Sequence, residues 1–147
     1  MQRPPRSPGA PLFSLQMLGV SLVLGASVLA AVFLAYWWVV EQGLQAGEVQ
    51  SFGFAAIVFG NLAMIHATRS RDRALFDTLR FPNPALWWIT GGTLAALAAS
   101  IYVPSVAVIF RFAPLSLGYL VTAAVAGFAG VAWYEAYKFL RPRRGRV

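Results

Sequence analysis

Residues 49–68 read VQSFGFAAIVFGNLAMIHAT, a run of 20 residues with no charged side chain and one amide, Asn61, well inside it. At 1.5 Å per residue such a helix is about 30 Å long, the thickness of a bilayer's hydrocarbon core. Other charge-free stretches lie on either side: Ser7 to Val40, Phe81 to Phe110 and Phe112 to Tyr134. The 147-residue chain is in consequence 59% hydrophobic and 12% charged, half of the roughly 25% charged content of a soluble domain. The pattern predicts an all-α polytopic membrane protein, a bundle of four transmembrane helices at about 16–40, 50–68, 85–103 and 117–139. Residues 1–15 read as a loop-like N-terminal segment, 16–140 as the membrane domain and 141–147 as a basic tail.

Lys and Arg concentrate in short cytoplasmic segments of membrane proteins. Here Arg3 and Arg6 precede the first span, Arg69, Arg71, Arg73 and Arg80 fill the middle connection, and Lys138, Arg141, Arg143, Arg144 and Arg146 close the chain. Of the 12 basic residues that leaves Arg111 alone on the opposite side, where Glu41 and Glu48 also fall. An integral, multi-pass protein of a plasma or inner membrane is expected, with both termini cytoplasmic. The net charge of +7 is then met by anionic membrane lipid, and no nucleic-acid partner is expected because no soluble basic domain exists to carry one. Aromatic belts fit the same map: Tyr36, Trp37 and Trp38 outside, Trp87, Trp88, Trp133, Tyr134 and Tyr137 inside. The first apolar run far exceeds the ~7–15 residues of a signal-peptide core.

Small residues spaced four apart mark where membrane helices approach closely. Such lines occur at Gly91, Ala95 and Ala99, at Gly92, Ala96 and Ser100, at Ala123 and Gly127, at Ala126 and Gly130, and at Ala26 and Ala30, with Gly53 and Gly60 in the second span. They serve as packing faces toward one another or toward partner helices. Pro82 and Pro84 bracket Asn83 before the third helix, and Pro104 closes that helix. Phe110 and Phe112 are expected at the outer interface, with Arg111 reaching headgroups.

The inventory of reactive groups is short. The chain has no cysteine and one histidine, His66, so neither a zinc site nor a nucleophile–base pair assembles from it. No phosphate-binding, metalloprotease or nucleophile-elbow motif is present. No catalytic residue and no cofactor are expected. Glu135 stands three residues before Lys138 and is expected to pair with it. Asn61 is different, since an amide at hydrocarbon depth must find a hydrogen-bonding partner or line a cavity. It reads either as interhelical glue or as a metal site, a cation ligand through its carbonyl oxygen. A hard cation takes about six oxygens, so most of such a cage would come from outside this chain.

The order of short motifs resembles one family. MQRPPRSPGAPLFSLQML is similar to the cytoplasmic loop before the seventh membrane helix of P-type cation-transporting ATPases, and FAAIVFGNLAMIHATRS to their eighth helix with its Arg-Ser ending at Arg69 and Ser70. FPNPALWWI resembles the start of the ninth through Asn83 and Leu86. YVPSVAVIFRFAPLSLGYL resembles the stretch between the ninth and tenth, through Pro104, Phe110, Pro114, Leu115 and Ser116, and Glu135 with Lys138 matches the end of the tenth. The resemblance implies the last four helices of a pump, as a fragment or a separately encoded piece, that supports the cation path and partners the pump's other helices and cytoplasmic domains. In that family the ion crosses mainly among the fourth to sixth helices, the eighth adding one ligand in some members, and Asn61 stands at the matching position. The Asp-Lys-Thr-Gly phosphorylation motif is absent, so the resemblance implies no ATP hydrolysis by this chain alone. The alternatives are a free-standing four-helix transporter and a membrane scaffold or assembly protein. Small exporters of the former kind carry a coupling glutamate in their first helix, which this first helix lacks.

Overall fold

The computed structural model describes residues 15–68 and 84–140, the side chains at 16, 17 and 137–140 excepted. The helices are α1 (Leu15–Glu41), α2 (Ala46–Thr68), α3 (Pro84–Tyr102), α4 (Pro104–Phe110) and α5 (Leu117–Leu140). Four of them, all but α4, are long and apolar enough to cross a membrane. The chain is an all-α integral membrane protein. The arginines of the terminal and middle segments, and the Pro82–Asn83 pair, lie outside the described residues.

Local chemistry sets the helix ends. Gly43, at φ 74°, turns the chain out of α1 in the left-handed region that glycine tolerates. The Glu48 carboxylate accepts a hydrogen bond from the Gln45 backbone N–H at 3.0 Å, the carboxylate half of a capping box, which satisfies a donor left over at the start of α2. The cap explains why α2 begins at Ala46, about one turn before the apolar run itself. Pro104 closes α3 and at the same time opens α4, standing in its first turn behind the extended Val103, where a missing N–H costs nothing. The sequence predicts no helix between Pro104 and the fourth span, and the structure forms a short one over Pro104–Phe110. That helix ends on Arg111, at φ 56°, with Phe112 N–H donating to Ala107 C=O at 2.9 Å and Arg111 N–H to Val108 C=O at 3.2 Å. Both bonds are those of a Schellman cap. An arginine in the left-handed region costs roughly 1–2 kcal/mol, and it leaves Phe112 stacked on Phe110, centroids 5.4 Å apart, and tilted against Phe54 at 5.1 Å.

The core lies among α1, α2 and α5. A Cβ added to Gly127 of α5 would stand 2.5 Å from Gly60 N, 2.8 Å from Phe59 C and 2.9 Å from Ala56 O, all backbone atoms of α2. One added to Gly130 would stand 2.5 Å from Val28 Cα of α1. The three helices therefore touch backbone to backbone at one level, which only glycine permits. Around this crossing Leu24, Val28, Val32, Ala56, Ala63, Ala123 and Val131 are buried in one continuous cluster. Small-residue lines elsewhere turn outward. Ala26 and Ala30 are exposed, and nothing lies within 4 Å of a Cβ added to Gly91 or Gly92.

Candidate functional site on the outward strip of α2

α2 is the most enclosed spanning helix, with half of its apolar window buried, against 17% for α1 and for α3 and 33% for α5. Its exposed positions after Ala46 are Gln50, Phe54, Ile57, Asn61, Ile65 and Thr68. Their spacing of three and four places them on one strip. Asn61 is four residues past Ile57, the midpoint of α2, so it sits about 6 Å from the centre of a helix that spans the hydrocarbon. The amide points away from the bundle, and among the described residues no hydrogen bond reaches it. Asn61 therefore does not bridge the helices of this bundle to one another.

Polar groups that do bridge helices lie at other levels. Ser27 Oγ of α1 is 2.8 Å from Gly130 C=O of α5 and accepts a bond from Trp133 Nε1–H at 2.8 Å. The N–H of this indole, expected in an aromatic belt, is thus turned toward the neighbouring helix. Ser51 Oγ is fully buried. It donates toward Ala113 C=O (2.7 Å) and Gly47 C=O (2.9 Å) and lies 3.1 Å from Ala113 N–H. These contacts fasten the α4–α5 connection to the first two turns of α2. Tyr102 O–H, at the end of α3, donates to Leu115 C=O at 2.9 Å in the same connection. At the other end of the bundle His66 Nε2 is 3.1 Å from Thr90 Oγ1 of α3, and the His66 and Trp87 rings stand 6.5 Å apart. His66 belongs to this helix contact rather than to the Asn61 strip.

Glu135 is half-buried, with one carboxylate oxygen shielded from solvent; the expected pair with Lys138 lies outside the described side chains. Among the described residues no group of three or more His, Asp or Glu is placed to hold a metal ion. Ser27, Ser51 and Thr90 were not singled out in the sequence. A hydroxyl can satisfy itself on its own helix, as Thr68 does on Met64 C=O at 2.7 Å and Ser100 on Ala96 C=O at 2.8 Å. Residue type alone does not separate these from the bridging ones.

Residues 1–140 match the family described as "Cation transporting ATPase, C-terminus". Proteins named "Probable cation-transporting ATPase F" from Mycobacterium bovis and Mycobacterium tuberculosis are each 26% identical to the chain over 120 residues. The alignment covers 80% of this chain and 13% of each of those proteins, so the chain spans a small part of their length. A four-span bundle built on glycine crossings, with the Asn61 strip turned outward, thus coincides with a family match over nearly the whole chain: it belongs to the carboxy-terminal membrane region of the cation-transporting ATPases.

Proposed function

We propose that the chain forms the membrane end of a P-type cation pump and docks the Asn61 strip of α2 on the pump's other transmembrane helices. The observation that carries this reading is the amide itself. Asn61 is exposed at hydrocarbon depth on the most enclosed of the spanning helices, and a group that polar is satisfied by protein or by water in a cavity, not by acyl chains. Its carbonyl oxygen then lends one neutral ligand to a cation whose remaining oxygens come from the facing helices. α1, α2 and α5 act as the rigid support behind it. In this reading the α4 end faces outside and both termini the cytoplasm, in a plasma or inner membrane, which the charge asymmetry of the sequence supports. ATP hydrolysis belongs to the pump's cytoplasmic parts, and the chain by itself hydrolyses none.

The test is cation-dependent ATPase activity of this chain co-expressed with the catalytic portion of a pump ending before its last four spans, read beside co-purification yield. Asn61→Leu is expected to raise the cation concentration for half-activation several-fold, with assembly weakened by only about 0.6 kcal/mol, the average of an interhelical hydrogen bond. Asn61→Asp is expected to shift the order of cation preference, because it restores a charged oxygen. Equal half-activation for all three forms at equal yield contradicts the ligand role.

A further inference from the structure

The two ends of α3 are held differently. At the α4 end, Leu97 and Ile101 belong to the main buried cluster. Tyr102 O–H is bonded to Leu115 C=O, in the connection that Ser51 Oγ fastens to α2. Toward the opposite end Leu86 is buried apart from that cluster. Between these points positions 87–89, 91, 92 and 94–96 are all exposed. Added Cβ atoms at Gly91 and Gly92 meet nothing within 4 Å. Thr90 and Thr93 are the exceptions, both half-buried, and the Thr90 hydroxyl is 3.1 Å from His66 Nε2.

We infer that α3 is a hinged arm, with its pivot at the α4 end and a latch, His66–Thr90, at the other. Packing against a continuous core gives a helix many small contacts that must break together, and the outer third of α3 has them. Its inner half has one buried side chain, Leu86, and among the described residues a hydroxyl–imidazole bond and an imidazole–indole contact, the first of which is directional and breaks within a few tenths of an ångström. From Leu97 to Pro84 the arm is about 20 Å long, so a 10° swing moves its tip by ~3 Å. Such a swing would part α3 from α2 near His66 and leave the glycine crossing of α1, α2 and α5 untouched. Thr90 can donate to or accept from the imidazole, so the latch needs no particular tautomer. The inference concerns this chain alone and stands whether or not Asn61 ligates a cation.

The chain contains no cysteine, which allows paired spin labels to be placed at will. One pair, at Ile65 and Trp88, reports the latch end; both side chains are exposed and neither makes the His66–Thr90 bond. A second pair, at Gln50 and Val103, both exposed, reports the pivot end. Distances are measured by double electron–electron resonance in lipid nanodiscs. Thr90→Val is expected to broaden or lengthen the latch-end distribution by ~3 Å or more, the tip displacement above, and to leave the pivot-end distribution unchanged. Thr90→Ser is expected to keep the unmutated distribution because it keeps the hydroxyl. An unchanged latch-end distribution in Thr90→Val overturns the inference. So does equal broadening of both pairs, or Thr90→Ser behaving as Thr90→Val does.

Discussion

α5 and α3 carry the same kind of sequence, apolar with glycine and alanine at intervals of four, yet they are held in opposite ways. Gly127 and Gly130 of α5 rest on the backbones of α2 and α1, while Gly91 and Gly92 of α3 face open space. The difference teaches that small-residue spacing marks where a helix can be approached, not which neighbour approaches it. In water the apolar side of a helix is the buried side; in lipid both sides are apolar, and the stripe loses its direction.

The contrast predicts unequal costs for one substitution. Gly127→Ala places a methyl group 2.5 Å from Gly60 N. Backbone cannot step aside as a side chain can, so α2 and α5 must separate, at a cost typical of overpacking, about 1–3 kcal/mol. Thermal unfolding in detergent should show the largest drop among these variants. Ser27→Ala comes next: it removes the acceptor of Trp133 Nε1 and a contact with Gly130 C=O, and the expected loss is about 0.6 kcal/mol, up to ~1.7. Gly91→Ala should be smallest, unchanged or slightly stabilising, because the methyl meets nothing and alanine is the better helix former. A Gly91→Ala loss as large as that of Gly127→Ala would erase the distinction between the two helices.

The spans were legible from the sequence because a charge-free run long enough to cross a bilayer has few other uses. Asn61 was legible for the complementary reason, as the polar residue where polarity costs most. What the sequence left open was direction. Ala26 and Ala30 form as good a line as Ala126 and Gly130, but the first faces away from the bundle and the second has Gly130 at its closest contact. Trp133 reads as an interfacial residue, and only the position of Ser27 on a neighbouring helix turns its N–H inward. α4 was hidden because it is only seven residues long and is followed by a left-handed arginine, Arg111, where a cap usually has glycine. That Asn61 has no hydrogen-bonding partner among the described residues required knowing which sides of α2 its neighbours cover and that Asn61 falls on the exposed strip they leave.

That bare strip is the centre of the account, and photo-crosslinking tests it most directly. A benzophenone amino acid placed at Ile57 or Ile65 lies on the strip beside Asn61, at positions 52% and 44% exposed, and one at Val125 lies on the wholly apolar outer face of α5, 62% exposed. In membranes containing both this chain and the rest of a pump, irradiation should join Ile57 and Ile65 positions to pump protein, while the Val125 position yields lipid adducts. Lipid adducts alone from all three positions would contradict the claim that α2 turns its amide toward another protein.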